Sequence, residues 1–313
     1  MKKLALLLLL ILTGTAGLMA QGAAPALSFR EQQLPGSVEL AYTEGGEENK
    51  ETILFLHGLG GSREHWQQNL PELAEQFNVL AVDLPGYGDS SIPAVPQDSL
   101  LYFFSDVLSS FLDSLSISKA HVVGHSMGGQ LAMLFALEHP EQVQKLILAA
   151  PAGLETFTEA EAASLKKYAA ATFPQKQPEA QIRMNYAMNF YQMPETAEQL
   201  IQDRLALNES EAFPAYAKIL IEGVEGMLDT PLLNRLAEVE QPTLIVFGQE
   251  DRLIPNRLLH PNLTTEAVAQ KGLQAIPESQ LEIVPEAGHL LMYEKPEVFN
   301  ELLIQFLNHT KNN

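Results

Sequence analysis

The ten residues VVGHSMGGQL, positions 122 to 131, constrain this chain more than any other stretch. Gly124-His125-Ser126-Met127-Gly128 is a G-x-S-x-G pentapeptide, preceded by the strand-like HVV and followed by the helix-like QLAMLFALEHP. A strand that passes into a helix over so few residues must turn sharply, and the flanking glycines remove Cβ atoms that would crowd the turn. The serine left at the apex has the setting of a nucleophile elbow. Chance yields the pentapeptide about 0.07 times in a chain of this composition, so it needs partners elsewhere to carry weight. Alone, a Gly/Ser turn between a strand and a helix accounts for it equally well.

The flanking sequence extends the alternation. SVELAYTEG, ETILFLHG, FNVLAVDLPG, HVVGHS, KLILAAP, PTLIVFGQED and LEIVPEAGH read as strands. SREHWQQNLPELAEQ, SLLYFFSDVLSSFLDSL, GGQLAMLFALEHP and EVFNELLIQFLNH read as helices. Strands that are apolar along their whole length and separated by helices predict an α/β fold, a parallel sheet covered by helices on both faces. From Gly153 to Glu240 the rhythm breaks: no strand pattern occurs, whereas TEAEAASLKKYAAATF and AEQLIQDRLALNESEAF have helical period. A strand precedes this segment and another follows it. Residues 153–240 are therefore expected to form a helical cap inserted into a sheet domain made of 21–152 and 241–313.

The N-terminus, MKKLALLLLLILTGTAGLMAQGAAPA, carries Lys2 and Lys3, an apolar run from Leu4 to Leu12 and small residues from Gly14 to Ala20. That is the layout of an export signal, so residues 1–20 are expected to be a signal peptide and the mature protein periplasmic or secreted. The alternative is an uncleaved anchor holding the protein at a membrane, since Leu4 to Ala20 reaches the lower edge of spanning length. The chain has no cysteine, which excludes a lipobox-type lipoprotein and disulfides alike and leaves stability to core burial. With 19 bases against 39 acids the net charge is −20, and loss of Lys2 and Lys3 leaves 17 against 39. Such a balance repels nucleic acid and anionic membrane surfaces.

HGLGG at 57–61, DLPGYGDS at 83–90, GHSMGG at 124–129, GQEDRLIP at 248–255 and AGHLLMYEKPE at 287–297 resemble, in order and spacing, the α/β-hydrolase superfamily, from about Leu40 onward. Within it, VVGHSMGGQLA followed by LILAAPAGLE looks most like the monoacylglycerol-lipase and bacterial esterase/lipase branch. Similar motifs occur in haloperoxidase-like perhydrolases and in hydrolases of carbon–carbon bonds. The resemblance implies an α/β-hydrolase fold, a mostly parallel sheet with an inserted helical cap, acting on a small ester or lipid without a cofactor.

Serine is a poor nucleophile and needs a base, which in turn needs an acid to hold its tautomer. In this fold the partners follow in the order Ser, Asp or Glu, His. Asp251 lies just past TLIVFG and His289 just past LEIVPEAG, and the carboxyl ends of parallel strands are where such a sheet gathers its site. Ser126 is assigned as nucleophile, His289 as general base and then acid, and Asp251 as its orienter. The family's G-x-x-D-x-x-x-P falls on Gly248, Asp251 and Pro255, which leaves Glu250 a solvated neighbour. Asp83 stands in the wrong chain order, and its stretch reads as a glycine-rich loop lining the cleft or as a turn only. His121 and His125 share a strand without a third ligand at metal spacing, so no metal is expected. His125 then packs at the elbow, and Trp66 is core.

The oxyanion needs two N–H donors, which the fold supplies from the residue after the nucleophile and from the loop after an earlier strand. These are Met127 and Leu59, with Gly58, Gly60 and Gly61 opening that backbone to substrate and His57 bracing the loop. In the cap, Met184, Tyr186, Met188, Phe190, Tyr191 and Met193 crowd one stretch. They either pack the cap onto the body or, with Met188 and Phe190 foremost, form an adaptable wall for an acyl chain. The expected reaction is acyl transfer to water from an ester, thioester or lactone. The competing reading is a noncatalytic recognition protein that keeps the fold, against which the complete Ser126, Asp251 and His289 set argues.

Overall fold

Strands β1 (Ser28–Leu34), β2 (Val38–Gly45), β3 (Thr52–Leu56), β4 (Asn78–Val82), β5 (Ala120–His125), β6 (Val143–Ala149), β7 (Thr243–Gly248) and β8 (Ser279–Val284) form one sheet in the order β1-β2-β4-β3-β5-β6-β7-β8. The computed structural model describes residues 26–49, 51–92 and 99–309; the expected signal or anchor, residues 1–20, lies outside them. From β4 across to β8 the strands run parallel, while β2 joins β4 antiparallel and β1 hairpins beyond it. β3, β4, β5 and β7 are buried at every position, as a parallel sheet covered on both faces requires. β1 has no apolar run to announce it, because SFREQQL sits at the sheet edge and faces water along most of its length.

The helices are α1 (Leu70–Leu73), α2 (Leu100–Ser114), α3 (Met127–Glu138), α4 (Glu159–Thr172), α5 (Glu179–Ala187), α6 (Glu198–Glu209), α7 (Phe213–Asp229), α8 (Thr265–Ala275), α9 (Leu291–Glu294) and α10 (Pro296–Asn308). The single helix expected over SREHWQQNLPELAEQ is instead a 3-10 turn, Arg63–Trp66, capped by Ser62, followed by the short α1. Pro71 is the reason: it offers no N–H and its ring opposes the carbonyl four residues back. Between β6 and β7 the chain runs through α4, α5, α6 and α7 with no strand.

Along the sheet, β4 lies on one side of β3 and β5 on the other. The chain leaves β3 in one direction and returns in the other, so the carboxyl ends of β3 and β5 diverge and open a crevice at this switch point. α3 follows β5 directly and packs on β5 and β6. Its approach to β3 is very close: a Cβ on Gly128 would stand 2.5 Å from the carbonyl oxygens of both Leu56 and His57. Gly128→Ala is therefore expected to lower unfolding free energy by about 1–3 kcal/mol through overpacking. Urea denaturation followed by circular dichroism checks this, and an unchanged midpoint would show that α3 can move away from β3 at no cost.

Candidate active site

Ser126 joins β5 to α3 with φ 53° and ψ −117°, a region that costs a residue with a Cβ on the order of 1–3 kcal/mol. The surroundings hold it there. Its N–H donates to the Ala149 carbonyl at 3.0 Å, and its own carbonyl accepts from Gly129, Gln130 and Ala152 at 2.9, 3.1 and 2.9 Å. β6 and the first turn of α3 thus clamp the residue from two sides, and it lines a cavity with Gly58 and His289.

Asp251 is fully buried just past β7. Its Oδ1 accepts the N–H groups of Leu253 at 2.8 Å and Ile254 at 3.0 Å, and its Oδ2 lies 2.8 Å from His289 Nδ1. Two backbone donors fix the carboxylate so that its other oxygen meets the ring. Facing that oxygen, Nδ1 carries the hydrogen, and Nε2 is left as the proton acceptor.

The turn bearing His289 is pinned on three sides. Gly288 N–H donates to Glu294 Oε2 at 2.8 Å, Leu290 N–H donates to the Asn189 carbonyl at 2.9 Å, and His125 Nε2 lies 3.0 Å from the His289 carbonyl. Glu294 also accepts from the N–H groups of Tyr191 at 3.1 Å and Gln192 at 2.5 Å. His125 therefore does more than pack at the elbow: it ties the strand that ends at Ser126 to the turn that bears His289. Glu294 ties that turn to the helical insertion, and nothing in the motif set pointed to it.

Three further histidines surround the site as neutral groups. Burial lowers the pKa of His57 to about 4 and that of His65 to about 3, and holds His125 well below the ordinary histidine value. His57 bonds through Nδ1 to the Gly58 carbonyl at 2.8 Å and accepts the Leu84 N–H on Nε2 at 3.1 Å, bracing the loop as expected.

The cavity measures about 540 Å³. Its apolar wall comes from Leu165, Ala169 and Phe173 on and after α4 and from Val224, Met227 and Leu228 on α7. Gly58 and Leu59 line it, whereas Gly60 and Met127 do not. Met127 is buried and begins α3, so its N–H has no partner within the helix and points with the positive end of the helix dipole.

Three expectations fail here. Gly60, expected to open the loop to substrate, is covered by Tyr216, whose hydroxyl donates to its carbonyl at 3.1 Å. Met188 and Phe190 are absent from the lining: Met188 is 40% exposed, and Phe190 is buried with its ring centroid 6.3 Å from that of Tyr293. α5 ends at Ala187, and the bonds of residues 189–192 to Leu290 and Glu294 draw the stretch onto the histidine turn, so only Asn189 of it reaches the cavity. The DLPGYGDS stretch does not line the cavity either, and the turn reading prevails. Asp83 is buried, pairs with the Arg63 guanidinium and accepts the N–H groups of Arg63 at 2.7 Å and Asp89 at 2.9 Å. Trp66 is fully buried in the core, and Glu250 is exposed. Among the described residues no group of three or more His, Asp and Glu side chains is arranged to hold a metal, and no helix is long and apolar enough to cross a membrane.

The sequence and the fold have known counterparts. The model of the alpha/beta hydrolase fold family matches residues 51–296, and the chain belongs to that family as a hydrolase of the α/β-hydrolase superfamily. It is 31% identical over 289 residues to 2-hydroxy-6-oxononadienedioate/2-hydroxy-6-oxononatrienedioate hydrolase 2 of Pseudomonas putida, covering 90% of this chain and 95% of that one. It is 30% identical over 261 residues to the dihydrolipoyllysine-residue acetyltransferase component of the acetoin cleaving system of Cupriavidus necator; the match takes in 82% of this chain and only 63% of that longer protein. Among solved structures it is similar to a bacterial membrane phospholipase A, with a TM-score of 0.74, 27% identity, and coverage of 92% of this chain and 87% of that one.

The neutral histidines set a pH dependence. The unfolded chain takes up a proton on His65 near pH 6.5, while the folded chain does not until about 3. Stability attributable to this residue is therefore lost progressively as pH falls below 6.5, by about 1.4 kcal/mol per pH unit. His65→Gln should flatten the slope of unfolding free energy between about pH 6 and 4 by that amount, measured by urea denaturation. A slope equal to that of the unaltered protein would show that His65 protonates in the folded state.

Proposed function

We propose that the protein is a serine hydrolase that cleaves carboxylic esters of an apolar acyl chain through an acyl-enzyme on Ser126. The observation that carries this reading is the buried Asp251–His289 pair, whose ring shares one cavity with the clamped Ser126 beneath an apolar wall. In this reading His289 Nε2 takes the Ser126 hydroxyl proton as Oγ attacks the ester carbonyl carbon. The resulting oxyanion faces the N–H groups of Met127 and Leu59. Collapse expels the alcohol with the proton from His289. Water then attacks the acyl-enzyme with the same base, and a second collapse frees the acid. Asp251 keeps the hydrogen on Nδ1 and steadies the imidazolium throughout.

The wall and the likeness to a phospholipase favour a lipid-like ester in the esterase/lipase branch. The P. putida relative is named for a dioate, a dianion, and its likeness supports carbon–carbon bond hydrolysis as the second reading. Among the described residues no lysine or arginine lines this cavity to receive such a dianion. Export remains part of the proposal, on the strength of Lys2, Lys3 and the Leu4 to Leu12 run.

With p-nitrophenyl esters as substrate, Ser126→Ala and His289→Ala should each lower kcat by roughly 10⁴ to 10⁶, and Asp251→Asn by about 10⁴. A fluorophosphonate probe should label Ser126 and no other serine. Near-normal turnover by Ser126→Ala would overturn the assignment, and an unlabelled, inactive chain would favour the noncatalytic reading.

Chain length tests the wall. Each methylene buried there adds about 0.8 kcal/mol, so kcat/KM should rise about three- to fourfold per carbon until the cavity fills. Leu165→Ala and Met227→Ala should flatten that rise, and Met188→Ala should not. Equal losses on acetate and octanoate esters would show that the wall residues only hold the insertion together.

A further inference from the structure

The wall of the cavity carries one carboxylate among its apolar groups. Glu155 is 9% exposed and lines the same cavity as Ser126 and His289. Both of its oxygens lie 3.0 Å from the Asn256 N–H, and Oε1 lies 2.5 Å from His260 Nδ1. The other ring nitrogen of His260, Nε2, is 3.4 Å from Glu161 Oε1, and the ring stacks on Phe157 with centroids 5.4 Å apart. Two acids thus share one imidazole, and the group keeps at least one negative charge whether or not His260 is protonated. Among the described residues no lysine or arginine is part of the lining. Anything entering the cavity therefore meets a wall whose Glu155, Glu161 and His260 group is net negative, with no lysine or arginine among the described lining residues to offset it.

We infer that Glu155 is a specificity-determining residue that excludes esters whose buried portion ends in an anion and admits neutral ones. The inference rests on the proposed ester hydrolysis at Ser126. Its physical basis is twofold. Like charges inside a cavity are screened far less than in water. A carboxylate carried into this cavity also gives up its hydration and finds no cationic partner in exchange. The bonds around Glu155 hold the carboxylate in place, so it cannot swing out to solvent to relieve the repulsion.

The test compares two esters that differ only in charge: mono-p-nitrophenyl adipate, whose acyl chain ends in a carboxylate, and its neutral methyl ester. The quantity read is the ratio of kcat/KM for the neutral over the anionic substrate. The unaltered protein should prefer the neutral ester by about thirtyfold or more. Glu155→Gln, which keeps the acceptor for Asn256, should shrink the ratio by about tenfold, and Glu155→Ala should do likewise if the amide variant does not fold. A ratio near one in the unaltered protein, or a ratio unmoved by either variant, overturns the inference while leaving the ester hydrolase intact. Absence of turnover on both esters, with no fluorophosphonate labelling, removes the proposed function itself.

Discussion

The structure depends on one strained residue. Ser126 holds a conformation that a side chain disfavours, and it can do so only because hydrogen bonds from β6 and α3 overdetermine its backbone. The same constraint draws α3 against β3, where no Cβ fits at Gly128. That close approach sets the Leu59 loop beside the serine and brings the N-terminal end of α3, with its unpaired N–H groups, to the mouth of the crevice. The placing of Ser126, of the N–H groups beside it and of the crevice are thus consequences of one turn, and its cost is borne by the large buried sheet around it.

The helical insertion is bound into this arrangement at several points. Tyr216 on α7 donates its hydroxyl to the Gly60 carbonyl at 3.1 Å, and Gln130 on α3 donates to the carbonyls of Met227 at 2.9 Å and Thr230 at 2.8 Å. Tyr293 reaches the Thr196 carbonyl at 2.9 Å, and Glu294 gathers N–H groups from both the insertion and the histidine turn. The elements that enclose the cavity therefore also fix the loop, the turn and the helix that carry its polar groups. Displacing the insertion displaces His289.

Electrostatically the site sorts its own members. His57, His65 and His125 are held neutral by burial, and His57 and His125 serve as hydrogen-bonding struts. A buried carboxylate faces Nδ1 of His289, so charge arriving on its ring has a partner. Glu155 sets the opposite condition: its carboxylate shares His260 with Glu161, and the residue lines the cavity that holds Ser126 and His289.

By itself the sequence determined the sheet, the elbow and the Asp251–His289 pairing. Buried parallel strands must be apolar throughout, a turn as sharp as that at Ser126 must be flanked by glycine, and Asp251 and His289 each follow a strand whose carboxyl end opens at the crevice. These are short-range requirements, written in consecutive residues. The edge strand β1 escaped because an edge needs no apolar run. TEAEAASLKKYAAATF was legible as a helix, yet only the packing of α4 over the crevice made its residues 162, 165, 169 and 173 part of the lining, while the richer cluster at 184–193 was turned away by bonds to residues about a hundred positions later. Glu155 and His260 are likewise 105 residues apart. Which face of a helix meets which cavity depends on contacts between distant segments, and these exist only once the whole chain has folded.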